Sequence, residues 1–228
     1  MIYAIGDLHF DSTKEKPMDI FGKNWIDHQE KIIKNWQEII TDDDLVLIPG
    51  DISWALKLGE AKIDLEKIEE LPGKKVISKG NHDYWWVSLK KLNSLELDSI
   101  FYIQNNSYIY DNTAIAGTRG WFSQDYEGFD DNDLKVYKRE LHRLELSLES
   151  IGKEDIKKIV MLHYPPFKLD SNPNDFHDVM LEYEVDVCLY GHLHSDGHKF
   201  AIEDVFDGIE YRCVSSDYID FKPKLIMI

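Results

Sequence analysis

The stretch Gly80-Asn81-His82-Asp83 is the starting point for interpreting this chain. It follows the short apolar run Val76-Ile77-Ser78 and precedes the aromatic cluster Tyr84-Trp85-Trp86. The amide oxygen of an asparagine can bind a hard cation, and an imidazole can exchange a proton near neutral pH. The pattern therefore indicates a chemical site placed directly after a strand.

The composition restricts the class of protein. The chain has 228 residues, 43% hydrophobic and 30% charged, which suits one domain over residues 1–228. A formal net charge of -17 argues against nucleic acid and anionic membranes as partners. There is no N-terminal signal pattern and no apolar run of membrane-spanning length. We therefore expect a soluble, cytoplasmic protein in which Cys188 and Cys213 are buried and reduced, and the oligomeric state stays open.

Hydrophobic patterning predicts strands and helices that alternate over much of the chain. Apolar runs predict strands at residues 1–5, 45–48, 76–78, 100–103, 107–110, 113–116, 159–162, 185–190 and 225–228. Apolar residues at three-to-four spacing predict helices over residues 25–40, 58–71, 134–151 and 176–183. The stripe over residues 134–151 is interpreted as packing only.

The segments between these elements carry weaker signals. Residues 10–24, which include Lys14, have the composition of a loop, and the acidic run from Asp125 to Asp133 predicts a mobile, solvated loop or lid. Asp196-Gly197 and Asp207-Gly208 each predict a hairpin turn.

Polar residues recur within three positions of the end of an apolar run. In an α/β sheet, side chains just past the carboxyl ends of neighbouring strands converge on one crevice. We expect such a crevice here, formed by Asp7, His9, Asp51, Asn81, His82, Asp83, His163, His192 and His194. The other histidines, His28, His142, His177 and His198, fall on predicted helices or turns and are assigned no role.

The types of side chain in this set indicate metal binding. Two aspartates, one asparagine and four histidines, with His82 to spare, are too many ligands for one cation and suit two. A shared carboxylate holds two cations about 3.5–4 Å apart in enzymes that split phosphate esters. Nitrogen and oxygen donors without thiolate favour manganese, iron, zinc or nickel over calcium and magnesium, and the sequence leaves the choice among them open.

The order of these motifs resembles the calcineurin-like metallophosphoesterase superfamily. The resemblance rests on Asp7-x-His9, Gly50-Asp51, Gly80-Asn81-His82-Asp83, His163 and Gly191-His192-x-His194. Each motif is weak alone, whereas five in order are specific. The resemblance implies an α/β (α+β) fold, a four-layer sandwich of two mixed β-sheets flanked by helices, with a dinuclear metal site at one rim.

The resemblance also implies roles for individual residues. Asp7, His9 and His194 would hold the first metal. Asn81, His163 and His192 would hold the second, and Asp51 would bridge the two. His82 would be the catalytic acid, held in place by Asp83. The implied reaction is attack of a metal-bridging hydroxide on a small phosphomonoester or phosphodiester substrate.

One position departs from the pattern of a well-known branch. Protein serine/threonine phosphatases of this superfamily carry Asp-Arg shortly after the second motif, whereas Asp51 is followed here by Ile52-Ser53-Trp54-Ala55. This weakens a protein-phosphatase interpretation. Arg119 could supply the missing phosphate contact, because arginine binds phosphate oxygens bidentately, or it could be a surface residue paired with the acidic loop.

Two other functions are considered. Some members of the superfamily are non-catalytic metal-binding or protein-interaction modules, although those typically lose ligands or the acid histidine, and none is missing here. A nuclease of the same superfamily is the third candidate, and the net charge of -17 argues against it.

Overall fold

Two mixed β-sheets of five and six strands lie at the centre of the molecule. The computed structural model describes residues 1–13, 16–152 and 155–228, so the part of the predicted loop that contains Lys14 lies outside the described residues. The strands are β1 Ile2–Ala4, β2 Leu45–Pro49, β3 Lys74–Ser78, β4 Ile100–Ile103, β5 Tyr108–Tyr110, β6 Thr113–Thr118, β7 Lys157–Leu162, β8 Val187–Tyr190, β9 Val205–Phe206, β10 Ile209–Cys213 and β11 Lys224–Met227.

Five α-helices connect or flank these strands. They are α1 His28–Ile39, α2 Leu58–Glu69, α3 Leu89–Asn93, α4 Asp131–Glu149 and α5 Asp175–Glu182. Short 3-10 helices occupy Met18–Phe21, Lys23–Trp25 and Ser195–Phe200.

The strand order explains where the loops meet. The first sheet has the order β11-β1-β2-β3-β4, in which β1 to β4 are parallel and β11 is an antiparallel edge. The second has the order β5-β6-β7-β8-β10-β9, with parallel pairing from β6 to β10 and antiparallel outer strands. The parallel strands of each sheet therefore deliver their carboxyl-terminal loops to one edge.

Three apolar layers hold the sheets and helices together. Between the sheets, Leu47 and Val76 of the first sheet belong to the same buried cluster as Ile159 and Leu189 of the second. Helices α1 and α2 cover the outer face of the first sheet through residues such as Trp36. Helices α4 and α5 cover the outer face of the second sheet. The sandwich that the resemblance implies is thereby confirmed, and the limits of the single domain stay a prediction.

The structure corrects several predicted elements. Helix α1 begins at His28 rather than near Trp25, and the acidic run does not stay a loop to its end, because Asp130 caps helix α4, which begins at Asp131. Asp196-Gly197 lies in a 3-10 helix instead of a hairpin, whereas Asp207-Gly208 does join β9 to β10. A 3-10 turn and a hairpin turn use the same residue types, so composition does not separate them.

Helix α4 is more than a packing stripe. Glu140 and Ser147 lie fully buried on it, among the apolar residues of the same helix. The Ser147 hydroxyl accepts a hydrogen bond from the backbone of Gly117 at 2.9 Å and donates to the carbonyl of Asn106 at 2.6 Å. The helix is therefore fixed to the second sheet by buried polar contacts as well as by apolar ones.

The structure also bears on the predictions about the two cysteines and about membrane-spanning segments. Cys188 and Cys213 are both free and buried, as predicted. In the described parts of the chain, no helix combines the length and the apolar character needed to span a bilayer.

Candidate metal centre

Loops after five strands bring the candidate ligands to one place. The first group consists of Asp7, His9 and His194. The Nε2 atoms of His9 and His194 are 3.3 Å apart, and Nε2 of His194 lies 3.5 Å from Oδ1 of Asp7. The backbone amide of His9 donates to the carbonyl of Asp51 at 3.0 Å, which ties the loop of His9 to the loop of Asp51.

The second group consists of Asn81, His163 and His192. Nε2 of His163 lies 2.6 Å from Oδ1 of Asn81, and Nδ1 of His192 lies 3.1 Å from the same oxygen. The two imidazole nitrogens are 3.3 Å apart. The second set of ligands implied by the resemblance is therefore assembled in the structure as a compact trio.

Asp51 lies between the two groups. Its Oδ2 atom is 3.7 Å from Nε2 of His9 and 3.4 Å from Nε2 of His163. Its Oδ1 atom accepts a hydrogen bond from the backbone amide of His82 at 2.8 Å, which fixes the carboxylate plane. One oxygen is thus anchored, and the other faces both trios.

Hydrogen bonds to the outer ring nitrogens set the tautomers of two histidines. Nδ1 of His163 lies 3.1 Å from the carbonyl oxygen of Pro49, and Nδ1 of His194 lies 2.8 Å from Oδ1 of Asp217. Each Nδ1–H donates to these oxygens, so each Nε2 is the ring atom that faces the site, and in the neutral ring of His163 it carries a lone pair. This arrangement of a second oxygen partner behind a ligating imidazole is usual in metal sites.

The ionisation of the group matches a cation site. Burial lowers the pKa of His9 and His163 and, together with the charge of His163, lowers that of His192 to about 3, so these rings are neutral. Burial and the neighbouring charge of Asp7 raise the pKa of Asp51 well above its usual value. A divalent cation binds neutral imidazoles and stabilises the ionised form of a buried carboxylate. The Asp and His side chains of these groups could therefore hold a metal ion.

His194 and Asp7 form the charged pair of the site. Burial alone would lower the pKa of His194, but the carboxylates of Asp7 and Asp217 outweigh it and raise that pKa to about 10. Burial would raise the pKa of Asp7, and His194 with the other imidazoles lowers it instead. A metal that binds Nε2 of His194 must displace this proton.

The backbone at the site adopts conformations that are rare for residues with side chains. Asp7, His9, Asp51 and His192 have φ values of 56°, 47°, 52° and 73°. Such left-handed backbone costs about 1–3 kcal/mol per residue and is concentrated at functional sites. In this backbone conformation neighbouring side chains of a loop can face the same site, whereas successive side chains of a regular strand alternate between its two faces.

Two glycines leave room for the carboxylates. A Cβ atom on Gly80 would overlap the carboxylate of Asp51, and one on Gly191 would overlap that of Asp7. The glycines in the third and fifth motifs are thus packing requirements of the site.

Asp83 binds the backbone of its own loop and of the loop after strand β2. Its fully buried carboxylate accepts hydrogen bonds from the amides of Gly80, Asp51, Ile52 and Ser53 and from the indole of Trp85. Burial, followed by the charge of Asp51, raises the pKa of Asp83 to about 7. In the described part of the chain Nδ1 of the His82 ring has no hydrogen bond to Asp83 or to any other residue. Asp83 therefore holds two loops together, and its contribution to the position of His82 stays a prediction.

His82 is half-buried among aromatic rings. Its ring centroid is 4.3 Å from that of Trp54 and 5.9 Å from that of His9, and Trp54 stacks on His9 at 4.9 Å. Burial, His163 and Lys16 lower the pKa of His82 to about 4. Its Nδ1 atom is buried without a hydrogen-bond partner among the described residues. The ring is neutral and has a polar atom available.

Arg119 is neither a surface residue nor paired with the acidic loop. The side chain of Arg119 is 14% exposed. Its guanidinium lies 3.6 Å from the carboxylate of Glu140 and 4.3 Å from the ring centroid of Trp121. Its carbonyl accepts the backbone amide of His163 at 3.0 Å. The alternative that paired Arg119 with residues 125–133 is wrong about the partner, and the substrate contact stays a prediction.

The sequence interpretation missed residues that support the ligands. Asp217, which binds His194, follows strand β10 by four positions, and the sequence interpretation missed it because it predicted no strand there and looked only three positions past each apolar run. His28, assigned no role, is buried with Nε2 3.1 Å from the carbonyl of His9. His142 is exposed, as expected.

The chain resembles a known protein family over most of its length. A profile described as calcineurin-like phosphoesterase matches residues 1–196. The chain belongs to this family. The match includes every candidate ligand and both His82 and Asp83.

Individual relatives are distant from this calcineurin-like phosphoesterase. Uncharacterized protein MJ1445 from Methanocaldococcus jannaschii is 33% identical over 87 residues, which are 36% of this chain and 46% of that protein. The alignment thus spans about half the length of this curated relative.

Solved structures show the same fold. A protein of unknown function, AQ665 from Aquifex aeolicus, is 16% identical with a TM-score of 0.52 over 98% of this chain and 94% of its own. Phosphopantetheinyl hydrolase (PptH) from Mycobacterium tuberculosis is 14% identical with a TM-score of 0.57 over 94% and 88%. GAP50, the anchor in the inner membrane complex of Plasmodium, is 13% identical with a TM-score of 0.50 over 94% and 71%.

Replacing Gly80 by alanine tests the packing of Asp51. We expect Gly80→Ala to displace the Asp51 carboxylate and to reduce bound metal, measured by elemental analysis after loading with manganese and dialysis. The control is Gly59→Ala in helix α2, where an added Cβ meets nothing within 4 Å. Full metal content in Gly80→Ala would contradict the placement of Asp51.

Replacing Asp83 by alanine tests its positioning role. We expect Asp83→Ala to lower the free energy of unfolding by about 3 kcal/mol or more, because buried donors lose their acceptor. Denaturant titration provides the measurement. Asp130→Ala, which removes the exposed N-cap of helix α4, is the control and should lower the stability by clearly less. Equal losses in the two variants would show that Asp83 does not hold the loops.

Proposed function

We propose that this protein is a metal-dependent phosphoesterase that hydrolyses small phosphomonoesters or phosphodiesters through a dinuclear metal centre. The observation that carries the proposal is the position of Asp51. One of its oxygens lies within 3.7 Å of an imidazole nitrogen in each of the two trios. A carboxylate in that position suits a bridge between two cations, and family membership supports a hydrolase that acts on phosphoester bonds.

The ligand assignment follows the two trios. The first metal would be held by Asp7, His9 and His194, and the second by Asn81, His163 and His192, with Asp51 shared. Possible ligand atoms of Asp7, Asp51 and His163 lie within 4.8 Å of one another, which keeps the two groups contiguous. Manganese, iron, zinc or nickel would suit these nitrogen and oxygen donors.

The metals, when bound, supply Lewis acidity towards the phosphoryl oxygens and lower the pKa of the attacking water. The chain's own residues contribute rigidity and orientation. Asp217 and the carbonyl of Pro49 fix the rings of His194 and His163. Asp83 holds the backbone that carries Asp51. Trp54 covers one face of His9 and excludes water from that side.

His82 is the residue we assign to the leaving group. It is adjacent to Asn81, its ring borders His9, and it is half-buried, whereas His9 and His163 are buried. As a neutral imidazole, it would donate a hydrogen bond to the departing oxygen, and a nearby phosphate dianion would raise its pKa towards that of a proton donor.

Activity should depend on metal and on the ester bond. We expect hydrolysis of a generic aryl phosphate or an aryl phosphodiester by the manganese-loaded protein, and loss of that activity on chelation with recovery on reloading. The measurement is release of the aryl alcohol. Silence on both substrates with a full complement of metal, together with a stable protein partner in pull-down, would favour the interaction-module alternative.

His82→Ala separates catalysis from metal binding. We expect the variant to keep both metals and to slow turnover by about 10²–10⁴-fold, because it removes only the group that assists the leaving oxygen. Elemental analysis measures the bound metal, and kcat of the same preparation measures turnover. His142→Ala, on the exposed face of helix α4, is the matched control. Metal loss in His82→Ala would mean that His82 is a ligand.

A further inference from the structure

A second polar cavity lies next to the candidate metal centre. It has a volume of about 170 Å³ and is formed by the ends of strands β3, β4 and β6 and by helix α4. Its lining includes Lys79, Trp86, Gln104, Arg119, Glu140 and Arg143. A single water needs only about 10–15 Å³ of such space, so a phosphate or carboxylate group would fit.

The cavity shares a wall with the metal centre. Lys79 directly precedes Gly80, which packs against Asp51. The carbonyl of Arg119 accepts the backbone amide of His163. Two of the residues that face the cavity are therefore bonded, through the backbone, to the loops that carry candidate ligands.

The charge of the cavity is opposite to that of the protein. The whole chain has a formal charge of -17, whereas the ionisable residues of the lining are Lys79, Arg119 and Arg143 against one carboxylate, Glu140. Anionic groups are drawn to such a local excess of positive charge even when the global charge is negative.

Glu140 does not neutralise this excess. The carboxylate is buried and is contacted by Arg143 at 2.8 Å, Arg139 at 3.4 Å and Arg119 at 3.6 Å, besides the hydroxyl of Thr118 at 2.6 Å. One negative charge is thus shared by three guanidinium groups.

Donors also remain available. Nε of Arg119 is buried without a hydrogen-bond partner, and the ammonium of Lys79 forms neither a hydrogen bond nor an ion pair within the described ranges. Arginine and lysine donors left in this way are suited to charge-assisted hydrogen bonds with an anion.

We propose that this cavity binds a second anionic group of the substrate, so that the preferred substrates are phosphoesters that carry another phosphate or carboxylate. This inference rests on the proposed function, since it assumes that the scissile phosphoryl group lies at the metal centre. Arg119 then contacts the second anion and fixes the orientation of the ester.

The test compares substrates that differ only in the second charge. Alkane-diol bisphosphates of graded chain length are compared with alkyl monophosphates of the same length, using the metal-loaded protein. The measured quantity is the ratio of kcat/KM for the bisphosphate to that for the monophosphate, corrected for the two equivalent phosphates. Without a second anion site the corrected ratio would be about 1 at every chain length, and we expect it to reach about 10 or more at one chain length.

Variants locate the effect in the cavity. Arg143→Gln and Lys79→Gln should each lower the ratio by about 10-fold. Lys79→Gln is the second variant because the Lys79 ammonium forms no hydrogen bond or ion pair with any described residue, whereas Arg143 also contacts Glu140. Lys138→Gln removes the same charge from an exposed position of helix α4 and should keep the ratio within about twofold of the parent protein.

The possible results separate the two proposals. Hydrolysis of monophosphates with no preference for any bisphosphate would overturn the second anion site and leave the phosphoesterase intact. A preference that survives in Arg143→Gln and Lys79→Gln would overturn the cavity as its cause. Hydrolysis of neither substrate class by fully metal-loaded protein would overturn the proposed function, and with it this inference.

Discussion

Burial of negatively charged groups among imidazoles is the constraint on which the rest of this structure depends. Asp7 and Asp51 are almost fully buried and lie within 4 Å of ring nitrogens from both sheets. Removing carboxylates from water is costly unless positive charge is placed beside them. The strained backbone at Asp7 and Asp51, the glycines that admit their oxygens and the carboxylate of Asp83 beneath the loops all serve to keep this group assembled.

The two-sheet architecture makes such an assembly attainable. Parallel strands within each sheet deliver their loops to one edge, and packing of the sheets through a shared apolar layer sets the two edges side by side. Asp7 comes from the first sheet and His163 and His192 from the second, so neither sheet forms the site alone. Stability of the interlayer core and integrity of the metal centre are therefore linked.

The parts that the sequence predicts are those with local signals. Apolar runs located the principal strands, and polar residues after those runs located the residues that meet at the rim, because both follow from strand periodicity. Glu140 could not be found in this way, since a buried carboxylate on an apolar helical stripe is defined by the arginines that reach it from elsewhere. The partners of Asp83 were also hidden, because all but the indole of Trp85 are backbone amides.

The most direct test of the central claim is anomalous X-ray diffraction from crystals grown with manganese. The two-metal assignment predicts two anomalous peaks, one beside Asp7, His9 and His194 and the other beside Asn81, His163 and His192, with the Asp51 carboxylate contacting both. A single peak, or two peaks of which Asp51 contacts neither, would contradict it.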